Sequence, residues 1–119
     1  GSKIAYATGP LKDCTLHVYD PVKGKTTIGR GSYPSWFPDG KSIVYAVPET
    51  DIDIMGEVRV VRSELYTYDL GSSGSVRLTD TGGIIEMQPS VSPSGDRVAF
   101  SDWNGGGLFI MPAGKEAGR

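Results

Sequence analysis

The residues able to do chemistry are few, and none has the company that catalysis needs. His17 is the sole histidine and sits between Leu16 and Val18 in an alternating stretch. A general base needs a nucleophile and an orienting acid within reach, and the sequence around His17 offers neither, so it reads as a structural or solvated residue. Gly71-Ser72-Ser73-Gly74-Ser75 misses the G-x-S-x-G nucleophile elbow because Ser75 takes the last glycine position. Gly29-Arg30-Gly31 and Gly105-Gly106-Gly107 lack the spacing of a phosphate or dinucleotide loop, and turn glycines account for them. No catalytic residue is assigned, and no cofactor is expected.

Cation binding is tested by Asp51 and Asp53. Two apart on an extended chain, both carboxylates point to one side, but hard cations want more oxygen ligands than two carboxylates supply. No metal site is assigned. The single Cys14 excludes an intrachain disulfide and a Cys-rich zinc site. Trp36 and Trp103 could form a stacking platform. Trp36 lies in a repeated motif, where large aromatics fill the packing between sheets, whereas Trp103 stands beside Asp102, Asn104 and three glycines in a loop setting suited to contact with a partner.

The elements that position these residues are short. The chain has 119 residues, enough for one modest domain, with 17 glycines and 8 prolines punctuating bursts of Val, Ile, Leu, Tyr, Phe and Trp. That pattern predicts many turns joining short strands, with no helix of useful length. A net charge of -2, from 12 basic and 14 acidic residues, gives none of the one-sided positive field of a nucleic-acid binder. No apolar run approaches a membrane span or a signal h-region, and Gly1-Ser2 reads as a remnant of tag removal.

A repeat organises the strands. Tyr33-Pro34-Ser35-Trp36-Phe37-Pro38-Asp39-Gly40-Lys41-Ser42-Ile43-Val44-Tyr45-Ala46 aligns with Gln88-Pro89-Ser90-Val91-Ser92-Pro93-Ser94-Gly95-Asp96-Arg97-Val98-Ala99-Phe100-Ser101. Each copy reads as strand, tight turn, strand, with Pro presetting φ and Gly supplying the positive φ of the reversal. A third strand follows each hairpin, at 64–70 and 108–113, and a fourth follows in the second unit at 76–80. The first unit begins at the second strand (3–8), continues at 15–20 and ends at 25–28. Units of four antiparallel strands at about forty to fifty residues are propeller blades. The expected fold is all-β: about three four-stranded antiparallel blade repeats in an incomplete ring, with blade 1 over 3–28, blade 2 over 32–80 and blade 3 over 86–119.

The P-S-W-x-P-D-G-K-x-I-x-Y hairpin, the L-Y-x-Y-D-L strand and the R-L-T that follows resemble the repeat of the TolB-type propeller family. The third unit departs from it, with Val91 in place of Trp36 and Ser94 in place of Asp39. The resemblance implies a non-catalytic protein–protein interaction scaffold in a periplasmic or extracytoplasmic setting. Similar repeats form the gating propeller of prolyl-oligopeptidase and tricorn-like serine peptidases, whose catalytic domain would lie outside this chain. A sialidase-like propeller is disfavoured, since no S-x-D-x-G-x-T-W box is present.

The stretch 47–63 departs from the repeat. Its alternation in 51–54 and 57–60, around Met55-Gly56, predicts an extra hairpin projecting from the second blade. It leaves from the same end as the connections at 29–32 and 81–86. Asp51, Asp53, Glu57, Arg59 and Arg62, with Trp103, are the candidate partner-binding residues; the competing expectation is a cap on the blade. An open run of three blades leaves sheet edges and apolar faces uncovered. The expected partners are a protein bound to the blades or self-association through the open edges, as a homo-oligomer or a piece of a larger propeller. No nucleic acid and no membrane insertion are expected.

Overall fold

The structure is a computed structural model in which residues 3–10, 13–79, 85–103 and 106–113 are described. Ten strands follow in order: β1 (Ile4–Thr8), β2 (Thr15–Asp20), β3 (Gly24–Arg30), β4 (Ser32–Trp36), β5 (Ser42–Ile52), β6 (Val58–Asp69), β7 (Gly74–Arg77), β8 (Glu86–Val91), β9 (Arg97–Asp102) and β10 (Leu108–Pro112). They form three antiparallel sheets, β1-β2-β3, β4-β5-β6-β7 and β8-β9-β10. The all-β, three-blade architecture expected from the repeat is the one observed, and the ring is not closed. Asp80, the connection at 81–84, Gly105 and positions beyond 113 lie outside the described residues.

Alternation along β5 explains why the sheets stack. Ile43 and Tyr45 pack with Leu16 and Val18 of the first sheet. Val44 and Ala46, on the opposite face, join Leu65 in packing against Met87, Val98 and Phe100 of the third. Because successive strand side chains point to opposite faces, one apolar run supplies both layers. Trp36 packs into the layer between the first and middle sheets, and Val91, its counterpart, into the layer between the middle and third. Gly31 permits the close approach of the first two sheets, since a Cβ there would lie 2.6 Å from the Tyr45 ring.

The repeat is followed at the level of single bonds. Phe37 N donates to Ser42 O and Ser92 N to Arg97 O, both at 2.9 Å, closing equivalent turns. Gly40 (φ 68°) and Gly95 (φ 81°) supply the left-handed turn. Tyr33 and Gln88, also equivalent, both take φ 54°, a conformation unusual for a side-chain-bearing residue, and both fall at a register shift of the first strand. Asp39 accepts from Lys41 N at 2.9 Å, and the second copy has Ser94 in its place. Asp96 takes over instead, accepting from the Ser94 and Ser92 hydroxyls. These bonds hold its carboxyl below the usual carboxylate range.

Several boundaries differ from the sequence reading. The 47–63 hairpin is continuous with the second and third strands of the blade: β5 and β6 run through it, paired from Ser42↔Asp69 to Ile52↔Val58 with one register shift between Glu49 and Thr50. The fourth strand of the middle sheet starts at Gly74 and ends at Arg77, because pairing with Tyr66 to Asp69 sets its register. β3 extends over Gly24–Arg30 rather than 25–28.

Candidate functional site

The extended β5–β6 hairpin is anchored at its base by buried polar groups. Glu64 is only 5% exposed; the Thr79 hydroxyl donates to its Oε1 at 2.9 Å, while Leu65 N donates to Thr79 Oγ1 at 2.8 Å. Arg62 reaches the other oxygen of Glu64 at 3.8 Å. The Arg30 guanidinium donates to the Pro48 carbonyl at 2.6 Å, tying the hairpin to the β3–β4 connection. Ser63 bridges Ile85, and Ile85 O accepts from Trp103 N at 3.0 Å. Trp103 also meets Tyr33 edge-on at 6.3 Å. The hairpin base, Arg30, Ile85 and Trp103 therefore share one end of the sheets.

Asp53 builds the tip. Its Oδ1 accepts from Met55 N and Glu57 N, each at 2.9 Å, and its backbone N–H donates to Glu57 O at 2.9 Å. Gly56, at φ 84°, completes the reversal. The hairpin is two-faced by register: Asp51 opposes Arg59 on one face, and Ile52 opposes Val58 on the other. Beyond them Ile54 and Met55 are 99% and 80% exposed.

The structure thus sorts the six candidates. Asp51, Glu57 and Arg59 are exposed on the hairpin, and Trp103 stands half-exposed at the same end. Asp53 serves the turn and Arg62 a buried carboxylate, so neither is a simple exposed charge. Sequence reasoning missed the apolar tip, although the period-2 pattern that placed Asp51 and Asp53 together also places Ile52 and Ile54 together.

No protein-family model matches the chain. Over 84 residues, 71% of its length, it is 37% identical to dipeptidyl-peptidase 5 of Porphyromonas gingivalis, of which it spans 12%. Its structure superposes on a protein of Agrobacterium tumefaciens described as TolB with a TM-score of 0.62 and 21% identity, covering 94% of this chain and 47% of that one. A prolyl endopeptidase gives a TM-score of 0.66 at 24% identity, over 96% of this chain and 19% of that one. The fold is that of a TolB-like propeller segment. The chain spans less than half the length of each of these proteins, and the two superpositions establish fold alone.

The blade pattern also accounts for His17. Each blade pairs two aromatic rings across its second and third strands: Tyr6 with His17 at 5.1 Å, Tyr45 with Tyr66 at 6.0 Å and Phe100 with Phe109 at 5.7 Å. His17 fills that position, 8% exposed, with the Thr8 and Thr27 hydroxyls at its two ring nitrogens (2.9 and 3.1 Å). Among the described residues no group of three His, Cys, Asp or Glu could hold a metal.

Proposed function

We propose that the chain is a non-catalytic protein-binding part of a propeller, with the β5–β6 hairpin as its contact element. One observation carries the reading: Ile54 and Met55 are almost fully exposed on a tip whose turn is fixed by Asp53. Two large apolar side chains held rigidly in water are costly unless a partner covers them, and a pre-ordered tip loses little entropy on binding. Asp51, Glu57 and Arg59 supply the polar rim, and Trp103 an aromatic neighbour at the same end. The resemblance to TolB supports a periplasmic or extracytoplasmic setting.

A photo-crosslinker at position 55 tests this, with one at Val22, 91% exposed in the β2–β3 turn, as the control. A discrete protein adduct from position 55 alone is expected. Equal labelling from both positions would refute a dedicated contact element.

The 37% identity to a dipeptidyl-peptidase favours a second reading. In it, the same blades gate a peptidase domain carried elsewhere in a longer chain. A fluorophosphonate probe should then label that longer protein and leave residues 1–119 unlabelled; labelling within this segment would overturn both readings.

A further inference from the structure

The hairpin tip has a chemical complement on the same molecule. Lys3, Lys23 and Lys41, three of the chain's six lysines, stand around a cleft of about 420 Å³ between the first and middle sheets. Val18, Ile28 and Leu70 line it and belong to the apolar layer between those sheets. Asp20 is the one carboxylate lining it among the described residues. Its Oδ1 already accepts from Val22 N at 2.8 Å and Lys23 N at 3.4 Å. Three ammonium groups gathered in a chain of net charge -2 repel one another. The arrangement suits a ligand that brings negative charge on an apolar body, and the volume falls near the lower end of the ~300–1,000 Å³ of ligand pockets.

The hairpin tip answers that description, with Ile54 and Met55 flanked by Asp51, Asp53 and Glu57. It cannot reach its own cleft. β5 starts at Ser42, next to Lys41, and ends at Ile52 just below the tip; its length, at ~3.4 Å per residue, separates the two by about 35 Å. We propose that the tip of one copy docks in the lysine-rimmed cleft of a second copy, Ile54 and Met55 entering the apolar cleft and the carboxylates pairing with the lysines. This rests on the reading of the hairpin as a protein-contact element and names its occupant. The interface is head-to-tail, so copies add in a row or close into a ring.

Sedimentation velocity of the full chain in low and high salt tests it, with two charge reversals, K23E/K41E and D51K/E57K. Asp53 is left in place because its carboxylate builds the turn. Association should weaken with salt and fall at least about tenfold in each variant alone. Mixing the two variants should restore it, since each retains the surface the other complements. K3E/K23E replaces the first variant if circular dichroism shows that it has lost its fold. Association that ignores salt and both reversals would overturn the proposal, as would a concentration-independent monomer. If position 55 still yields a discrete adduct with a different protein, the contact-element reading survives and only the second-copy occupant falls.

Discussion

The middle sheet and the two sheets beside it present the same residue positions in opposite environments. On the middle sheet the register pairs Ile43↔Tyr68 and Tyr45↔Tyr66 lie against the first sheet. On the first sheet the pair corresponding to Ile43↔Tyr68 is Ile4↔Tyr19, and there Ile4 is 57% and Tyr19 43% exposed, whereas at the next pair, Tyr6↔His17, the imidazole stays buried between the Thr8 and Thr27 hydroxyls. The opposite faces repeat the contrast. Leu65↔Ala46 is fully buried against the third sheet, whereas Leu108, opposite Ser101 on that sheet's outer face, is 75% exposed and Ile110 64%. The difference teaches that blade faces are written into every repeat, covered or not. The outer faces carry the same apolar positions, exposed among the described residues.

That comparison breaks first at Leu65 and Leu108. Leu65→Ala should cost about 2–5 kcal/mol in urea unfolding, because it removes a fully buried side chain between two sheets. Leu108→Ala should change stability by less than about 0.5 kcal/mol. Similar losses at the two positions would mean that the third sheet's outer face is packed.

A smaller loss is expected at the hairpin base. Thr79→Val removes the acceptor for Leu65 N and the donor to Glu64 Oε1, leaving buried polar groups unmatched, at about 1–3 kcal/mol by chemical denaturation. A neutral outcome would show that water replaces the hydroxyl and that the anchor is loose.

Tyr45 sharpens the comparison through pH. Burial pushes its phenol above the ordinary value of 10.0, opposed in part by a hydrogen bond with Ser75. A phenol whose folded pKa is raised gives stability that is complete below pH 10 and lost as pH rises through the folded value. Thermal midpoints should therefore fall more steeply above about pH 10 in the parent than in Tyr45→Phe. Parallel curves would place Tyr45 in contact with solvent.

The smallest stability effect belongs to the tip. Ile54→Ser with Met55→Ser should shift unfolding by less than about 0.5 kcal/mol, both side chains being exposed in the free chain. Asp53→Ala should cost more than the pair, because two backbone N–H groups lose their acceptor. The reverse order would mean that the tip packs on something within the chain.

The blades were legible because turn chemistry and period-2 alternation are local: Pro38 with Gly40 and Pro93 with Gly95 mark the same reversal, and Ile43 to Ala46 alternate without a break. The three-strand, four-strand, three-strand count follows from them. The site was less legible. Asp53 reads as a partner-binding residue, since nothing in a D-I-D-I run reveals that one carboxylate will cap a turn. Arg62 reads as a partner-binding residue because Glu64, which it meets, becomes buried only when Thr79, fifteen residues on, returns beside it. The loop setting of Trp103 is legible from the glycines beside it, but its approach to the hairpin base through Ile85 depends on a bridge between two sheets. Ile54 and Met55 do not stand out in the sequence, because apolar residues in an alternating run signal core.

Amide hydrogen exchange tests the contrast between covered and uncovered faces most directly. Amides of Val44, Ala46, Leu65 and Thr67, in the two central strands of the middle sheet, should open only with global unfolding, while Phe109 and Met111 of β10 should exchange orders of magnitude faster. Protection as strong in β10 as in β5 would contradict the account, because it would mean that the outer face is already covered.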